Sequence, residues 1–158
     1  MADVDLEQLR LRTLSRLPDQ VYWRVHERRV VFDFRRAHSP LKPVSTAELF
    51  RRIEPEWARL FVLGDRVTVS AGSSRSLLVV ERGSGVVYGL DPGLKDAPLY
   101  LLNSNADAFL DTFLLFDRML RSGPTSLAAL RSEAEQIDPT TFPQGAWRGL
   151  ADQLLTAQ

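Results

Sequence analysis

NSNADAFLDTFLLFDRMLRSG, residues 103–123, predicts a long helix that is apolar on most of its surface. Ser104, followed three residues later by Asp107, has the spacing of a capping box at a helix start, and the acid favours the positive end of the helix dipole. Gly123 with Pro124 is a matching stop signal. The polar residues share one narrow strip, made of Asp107, Asp111, Arg118 and Arg121. Such a helix must be buried almost all round, so the rest of the chain has to cover it.

The chain before this helix supplies a covering layer of short strands. Apolar and β-branched runs alternate with turns of glycine, serine and aspartate, a pattern typical of successive antiparallel strands. Gly64 and Asp65 are expected to form one of these turns, between a strand over residues 60–63 and another over residues 66–70. Further strands are expected at residues 21–23, 30–34, 76–81, 86–90 and 100–102.

Helices are expected at both ends of the chain. The spacing of apolar residues over 4–17 predicts an amphipathic helix, which Pro18 ends. After the long helix, residues 126–137 and 144–155 predict two more. Because strands and helices are segregated and no βαβ alternation occurs, the helices must pack on the sheet from outside.

A shorter helix is expected between the early strands and the middle of the chain. Ser45 and Glu48 have capping-box spacing, which predicts a helix over residues 46–53. The sequence as a whole predicts an α+β fold in a single domain over residues 1–158. Its centre is a mostly antiparallel sheet of about four to six strands, packed against N-terminal and C-terminal helices.

Composition limits both the compartment and the class of protein. The 158 residues include no cysteine, which excludes disulfide scaffolds, iron–sulfur clusters and thiol nucleophiles and favours a cytoplasmic location. No run approaches the roughly eighteen apolar residues of a membrane span, so no membrane partner is expected. Twenty lysines and arginines against twenty aspartates and glutamates give no net charge, which argues against direct nucleic-acid binding.

The zero net charge conceals an asymmetry between the two halves of the chain. Residues 1–79 carry fourteen basic against ten acidic residues, a net charge of +4. Residues 80–158 carry six basic against ten acidic residues, a net charge of −4. This division predicts a charge dipole in the folded molecule.

Few residues have the arrangement that catalysis or metal binding requires. His26 and His38 lie among arginines and lack a third ligand, so no metal site is expected. The chain has no Gly-x-Ser-x-Gly motif and no phosphate-binding Gly-Lys-Ser/Thr motif. Asp107 and Asp111 form an i, i+4 carboxylate pair, which suits acid–base chemistry, an acidic patch or a solvated helix face. No catalytic residue and no cofactor is therefore predicted.

A basic run over residues 24–36 is the best candidate for nucleic-acid binding. Arginines together with aromatic side chains can hold phosphates and stack bases. However, Glu27 and Asp33 dilute the charge, and the aromatics fall in expected strands whose inward face needs them. The interpretation as core and surface is therefore favoured over a nucleic-acid site for Tyr22, Trp23, Phe32 and Phe34.

Several motifs follow one another in a recognisable order. A strand ends in Gly64, a Gly-x-Val-Tyr-type strand follows, and an Asn-Ser pair begins the long helix with its Ala-Phe-Leu sequence. The segments are residues 60–64, 78–80, 85–91, 102–104 and 108–110, followed by 137–139 and the helix that bears Trp147. In this order they resemble the SUKH superfamily of immunity proteins, most closely its SUKH-4 branch. Asn105 stands where the family commonly has a second serine, and Arg16 stands where a glycine often precedes Leu-Pro.

The resemblance implies an immunity protein of a bacterial polymorphic toxin system. Such a protein is a cytoplasmic domain that binds a cognate toxin domain, often a nuclease or a nucleic-acid deaminase, and blocks it without catalysis. Because a toxin that acts on nucleic acid is expected to have a basic groove, acids of the C-terminal half are the expected contacts. The candidate partner-binding residues are Tyr88, Asp91, Asp96, Tyr100, Asp107 and Asp111.

Two other classes of function stay open at this point. One is a regulatory or scaffold module of the same fold that binds a cellular protein without any toxin. The other is an enzyme that acts through Asp107 and Asp111 in a cleft, which raised carboxylate pKa values would favour. A neighbouring gene for a large secreted toxin would distinguish the immunity protein from the scaffold.

Overall fold

A computed structural model of the chain describes residues 3–25, 27–45, 54–91, 99–122 and 127–156. The strands are β1 (Gln20–Val25), β2 (Arg28–Asp33), β3 (Lys42–Pro43), β4 (Leu60–Val69), β5 (Ser73–Glu81), β6 (Val87–Leu90) and β7 (Leu99–Asn103). The α-helices are α1 (Leu6–Arg12), α2 (Ala106–Ser122), α3 (Leu127–Ile137) and α4 (Ala146–Thr156). Short 3₁₀ helices lie at Leu14–Arg16, Arg35–His38, Pro55–Arg59 and Phe142–Gln144.

The strands of the described residues form one sheet in the order β1-β2-β4-β5-β6-β7, with β3 beside β2 on β4. Every pair is antiparallel, so the predicted α+β class with an antiparallel sheet is confirmed. Among the described residues the sheet has seven strands. The strands expected over residues 60–63 and 66–70 are one strand, β4, and the strand that was not expected is the two-residue β3, in which Lys42 pairs with Val62. A strand of this length leaves no alternation in the sequence by which it could be predicted.

Strand β4 runs without interruption for ten residues, so the expected turn at Gly64 and Asp65 is wrong. The register with β5 shifts between Val62 and Gly64, which places a β-bulge at Leu63. A Cβ atom on Gly64 would lie 2.6 Å from the carbonyl oxygen of Asp33. Glycine is therefore needed for the close approach of β4 to the end of β2, and not for a turn.

The bulge exchanges the two faces of β4. The face covered by α2 is called the inner face, and the opposite one the outer face. Before the bulge, Val62 belongs to the outer hydrophobic cluster. After it, Arg66 and Thr68 lie beside Val30 of the inner face, so that Val67 points outward. An extra residue reverses the side-chain alternation of every residue that follows it.

The inner face carries the main hydrophobic core, in which α2 packs on rings from β1 and β2. Trp23 stacks on Phe113 with ring centroids 5.1 Å apart. Phe32 and Phe34 meet Phe113 edge-on at 5.0 and 4.9 Å. Edge-to-face pairs of this kind add to the stabilisation from apolar burial. Trp23, Phe32 and Phe34 are thus core residues, which agrees with the interpretation favoured over a nucleic-acid site. Tyr22, by contrast, is exposed.

A second, smaller hydrophobic cluster covers the β5 to β7 side of the outer face. Leu77 and Val79 face it, whereas Leu78 and Val80 face the main core, so β5 is buried on both sides as expected for a central strand. The cluster also includes Val44, Trp57, Leu60, Val62 and Leu90. The helix expected over residues 46–53 lies outside the described residues.

Gly89 of β6 provides the room for a ring of the neighbouring strand. A Cβ atom on Gly89 would lie 2.0 Å from Cζ of Tyr100. We therefore expect Gly89→Ala to displace this ring and to reduce the free energy of unfolding by about 1–3 kcal/mol, as overpacking typically does. Gly72→Ala is the matched control, since its Cβ would meet no atom within 4 Å. Urea unfolding measures both, and equal midpoints for the two variants would contradict this packing.

The turn after β5 is organised by the carboxylate of Glu81. It accepts hydrogen bonds from the backbone N–H of Gly83 at 2.8 Å, from that of Ser84 at 2.5 Å and from Nε of Arg59 at 3.2 Å. Burial works against the charged form, but a hydrogen bond from the Ser84 hydroxyl together with these three outweighs it and lowers the pKa of Glu81 from 4.5 to about 2. The ionised side chain therefore stabilises the folded state.

This pKa predicts how stability depends on pH. Because the folded pKa of Glu81 lies below its unfolded value, its stabilising contribution is complete above about pH 5 and disappears as the pH falls toward 2. Glu81→Gln is expected to lower the free energy of unfolding near neutral pH, and its difference from the wild type should shrink as the pH falls. Urea denaturation of both proteins at several pH values tests this. A difference that stays constant across the acid range would be the contrary result.

Candidate protein-binding surface

Helix α2 starts one residue later than the capping box predicts, and a different side chain caps it. The Asn105 side chain accepts the backbone N–H of Ala108 at 2.8 Å. The hydroxyl of Ser104, the expected cap, instead donates to the carboxylate of Asp138 at 2.8 Å. Ser104 is therefore drawn toward the interior, and Asn105 takes over the cap, a role for which asparagine is among the best residues.

The exposed side of α2 is the narrow strip that its sequence predicts. The four predicted residues, Asp107, Asp111, Arg118 and Arg121, all face solvent. Leu114, which the pattern assigns to the apolar surface of the helix, is exposed among them. Arg118 pairs with Glu133 of α3 at 3.4 Å, and Arg121 with Asp117 at 3.0 Å. The charges at the C-terminal end of the strip are thus matched within the protein, and the acids lie at its N-terminal end.

Asp107 is exposed but already has intramolecular partners. Its carboxylate accepts the Thr13 hydroxyl at 2.5 Å and lies 3.4 Å from Nη2 of Arg12. These contacts join the end of α1 to the start of α2. The ion pair is largely solvated, so it contributes little to stability. It does reduce the negative charge that Asp107 offers to a partner.

Asp111 lies one helical turn further along and is the more available of the two acids. It is exposed, and within the described ranges it forms no ion pair. The next residue of the strip is Leu114, which is 37% exposed. An unpaired carboxylate beside an exposed leucine on a buried, rigid helix is suited to contact another protein.

The two candidate tyrosines lie on opposite faces of the sheet. Tyr88 packs on the outer hydrophobic cluster, whereas Tyr100 packs against the main core beneath Arg66, whose Cζ lies 5.8 Å from the ring centre. Asp107 and Asp111 belong to the helical layer on the inner face. The structure therefore brings the two acids together on one strip, and it places Tyr88 on the other side of the sheet.

The remaining two candidates lie near the end of β6. Asp91 directly follows this strand and is half-buried. Asp96 lies outside the described residues.

A buried polar cluster, the Asn103 cluster, connects four parts of the chain. It consists of Asn103 at the end of β7, the adjacent Ser104, Thr112 of α2, Asp138 after α3 and Trp147 of α4. The Asn103 amide donates to Thr112 Oγ1 at 3.1 Å and to Asp138 Oδ2 at 3.0 Å, and its oxygen accepts the Trp147 indole N–H at 2.8 Å.

The carboxylate of Asp138 is the centre of this cluster. Besides the Asn103 amide, it accepts the Ser104 backbone N–H at 2.9 Å and the Ser104 hydroxyl at 2.8 Å. Asp138 is 1% exposed, so each of these hydrogen bonds replaces one that water would otherwise make. In the sequence, Asp138 stands out only as part of the motif of residues 137–139, and no local pattern there predicts that it is buried. The available signal was its place among the family motifs, together with Asn103, Ser104 and Trp147.

The described part of the chain offers little for metal or acid–base chemistry. No group of three His, Cys, Asp or Glu side chains there is arranged to hold a metal ion. Both ring nitrogens of His38 have partners within the protein. Its Nε2 lies 2.7 Å from the carbonyl oxygen of Leu17, and its Nδ1 lies 2.8 Å from the Asp19 carboxylate. His26 lies outside the described residues. In the same ranges no helix has the length and apolar character needed to cross a membrane.

Comparison with known proteins gives one match. The family model described as SUKH-4 immunity protein matches residues 1–153. No curated protein and no solved structure matches the chain. The match extends over α1 and the first strands as well as over the motif-bearing segment between β4 and α4.

Proposed function

The chain belongs to the SUKH-4 immunity protein family, and from this premise we propose that it acts in the cytoplasm by binding and neutralising a cognate toxin domain without catalysis. The toxin is proposed to act on nucleic acid, as a nuclease or a deaminase. A protein with this role needs a rigid fold and a partner-specific surface. It needs no catalytic group of its own.

The observation that carries this proposal is the acidic end of the α2 strip. Asp107 and Asp111 are exposed on a helix that is otherwise buried in the aromatic core, so their positions are held rigidly. An enzyme that binds nucleic acid carries a positively charged substrate groove. Two carboxylates on a rigid helix can enter such a groove, speed association by electrostatic attraction and occupy the place of phosphates.

Asp111 and Leu114 are proposed as the centre of the contact. An exposed apolar side chain beside an unpaired charge provides both the desolvated anchor and the charge complementarity of an interface. Asp107 is proposed to contribute less, because Arg12 and Thr13 already share its carboxylate. Asp91, Asp96, Tyr88 and Tyr100 stay as further candidates. Tyr88 would require a toxin that reaches around the sheet to its outer face.

The experiment that tests the function is co-expression with the C-terminal domain of the toxin-like protein encoded beside this gene. Rescue of growth together with nanomolar binding of the purified proteins is the expected result. If a demonstrably active toxin domain is neither bound nor neutralised, the proposal fails. The scaffold module would then be the function to test, by capture of cytoplasmic partners.

A further inference from the structure

The outer face of the sheet is covered only in part. The second hydrophobic cluster occupies the side of β5 to β7, whereas side chains of β1, β2 and the end of β4 are open to solvent or only half-buried. This open part is called the outer patch. It consists of Tyr22, Arg24, Arg29, Val31, Val67 and Val69.

Strand register arranges one row of the patch as an apolar stripe. Tyr22 of β1 pairs with Val31 of β2, and Val31 pairs with Val67 of β4. The tyrosine is 53% exposed, so a partner could bury much of its ring. A tyrosine next to aliphatic side chains is typical of the centre of a protein interface.

The next row is basic. Arg24 of β1 lies directly opposite Arg29 of β2, and both are exposed. Like charges at opposed positions destabilise an antiparallel pair. Within the described ranges neither arginine forms an ion pair, whereas Arg75 of the same face pairs with Asp65 at 2.8 Å. The two strands thus carry a repulsive pair of charges that no acid of the described residues compensates through an ion pair.

From this arrangement we propose that the outer patch binds an acidic segment of a partner protein. Apolar side chains of that segment pack on the row of Tyr22, and its carboxylates meet Arg24 and Arg29. A guanidinium accepts a carboxylate in a bidentate geometry, so two unpaired arginines side by side suit an aspartate- or glutamate-rich segment. The patch is on the opposite side of the sheet from α2 and is separate from the surface proposed for the toxin domain.

Two other occupants fit the patch less well. Stacking of bases needs several neighbouring aromatic faces, and the patch offers only Tyr22 because Trp23, Phe32 and Phe34 are buried in the core. A second copy of the chain packed face to face would bring two pairs of uncompensated arginines together, which is unfavourable.

The test is an NMR titration of the isotope-labelled protein with a synthetic peptide in which runs of glutamate flank a short valine–leucine centre. We expect shift changes at the amides of the outer patch, and none with the counterpart in which lysine replaces glutamate. Arg24→Glu with Arg29→Glu should weaken peptide binding by about tenfold or more. Arg16→Glu with Arg148→Glu is the matched control, since it changes the charge equally at two exposed arginines elsewhere.

Each other outcome would overturn the proposal in a distinct way. The proposal of an acidic partner would be wrong if the peptide caused no shifts or caused them elsewhere on the molecule. It would also be wrong if both double variants bound the peptide equally well. If a single-stranded oligothymidylate shifted the same amides and bound more tightly than the peptide, the partner of the outer patch would be a nucleic acid. Concentration-dependent shifts without peptide would indicate a second copy. Because no toxin is used, this result is independent of the proposed function, and the patch variant should still neutralise the toxin.

A stability measurement separates a binding role of the arginine pair from a structural one. Because the two charges repel each other, Arg29→Thr should raise the midpoint of thermal unfolding, with threonine also favourable in a strand. The same substitution should weaken peptide binding. If Arg29 instead supported the sheet, the midpoint would fall, and the proposal would lose its main argument.

Discussion

Asp138→Ala is expected to lower the free energy of unfolding by about 3–5 kcal/mol, because it leaves buried donors without an acceptor. The Asp138 carboxylate accepts three hydrogen bonds, one from the Asn103 amide and two from Ser104. Few domains have more than about 5–15 kcal/mol of stability. The variant should therefore be largely unfolded at moderate temperature, and equilibrium denaturation in urea measures the effect.

Two controls make this result interpretable. Asp111→Ala removes an exposed carboxylate from α2 and should change stability by no more than about 0.5 kcal/mol. Asp138→Asn keeps one acceptor oxygen and the size of the side chain, so its cost should be intermediate. If Asp138→Ala proves as mild as Asp111→Ala, the Asn103 cluster does not hold the helices to the sheet as its geometry indicates.

Reversal of the charge at Asp111 is expected to weaken binding of the cognate toxin domain by about a hundredfold or more, because it places a cation opposite a basic groove. Asp111→Lys should have a larger effect than Asp107→Lys, since Arg12 already shares the charge of Asp107. Calorimetric or optical titration of the purified pair measures the affinity. Growth of cells that express the toxin domain provides a second measurement.

The matched control for this prediction is Glu135→Lys. It makes the same change of charge at an exposed residue of α3, outside the strip, and should leave affinity nearly unchanged. Because Asp111 has no intramolecular partner within the described ranges, its variant should fold normally. Equal affinities for Asp111→Lys and Glu135→Lys would place the toxin elsewhere on the surface, while rescue by the wild-type protein would leave the immunity function intact.

Local sequence patterns predict the parts of this fold that local forces determine. The amphipathic repeat of residues 106–122 sets both the helix and its exposed strip, because a helix places every third or fourth side chain on one face. Runs of β-branched residues predict the strands, because these side chains fit the pleated surface of a sheet. The Asn103 cluster was beyond such patterns, since it joins Asn103 to Asp138 over a separation of 35 residues. Only the packing of α3 and α4 brings them together.

The candidate binding surface was likewise predictable from the sequence only in part. That Asp107 and Asp111 share a face follows from their spacing, and the structure places both on the exposed strip. That Tyr88 lies on the opposite side of the sheet did not follow, because facing in a strand depends on register. The register shift between Val87 and Tyr88 places an extra residue, Leu102, in β7, as the bulge at Leu63 does in β4, so the simple alternation is broken in the neighbouring strand and not in β6 itself.

By itself the sequence determined the α+β class, the long buried helix with its acidic strip, and the resemblance to the SUKH-4 family, because periodicity, capping signals and motif order are properties of neighbouring residues. Only the tertiary structure decided which acids are free, which polar groups are buried together, and that Arg24 lies opposite Arg29. These depend on strand pairing and helix packing between distant parts of the chain, where a shift of one residue exchanges the two faces of a strand.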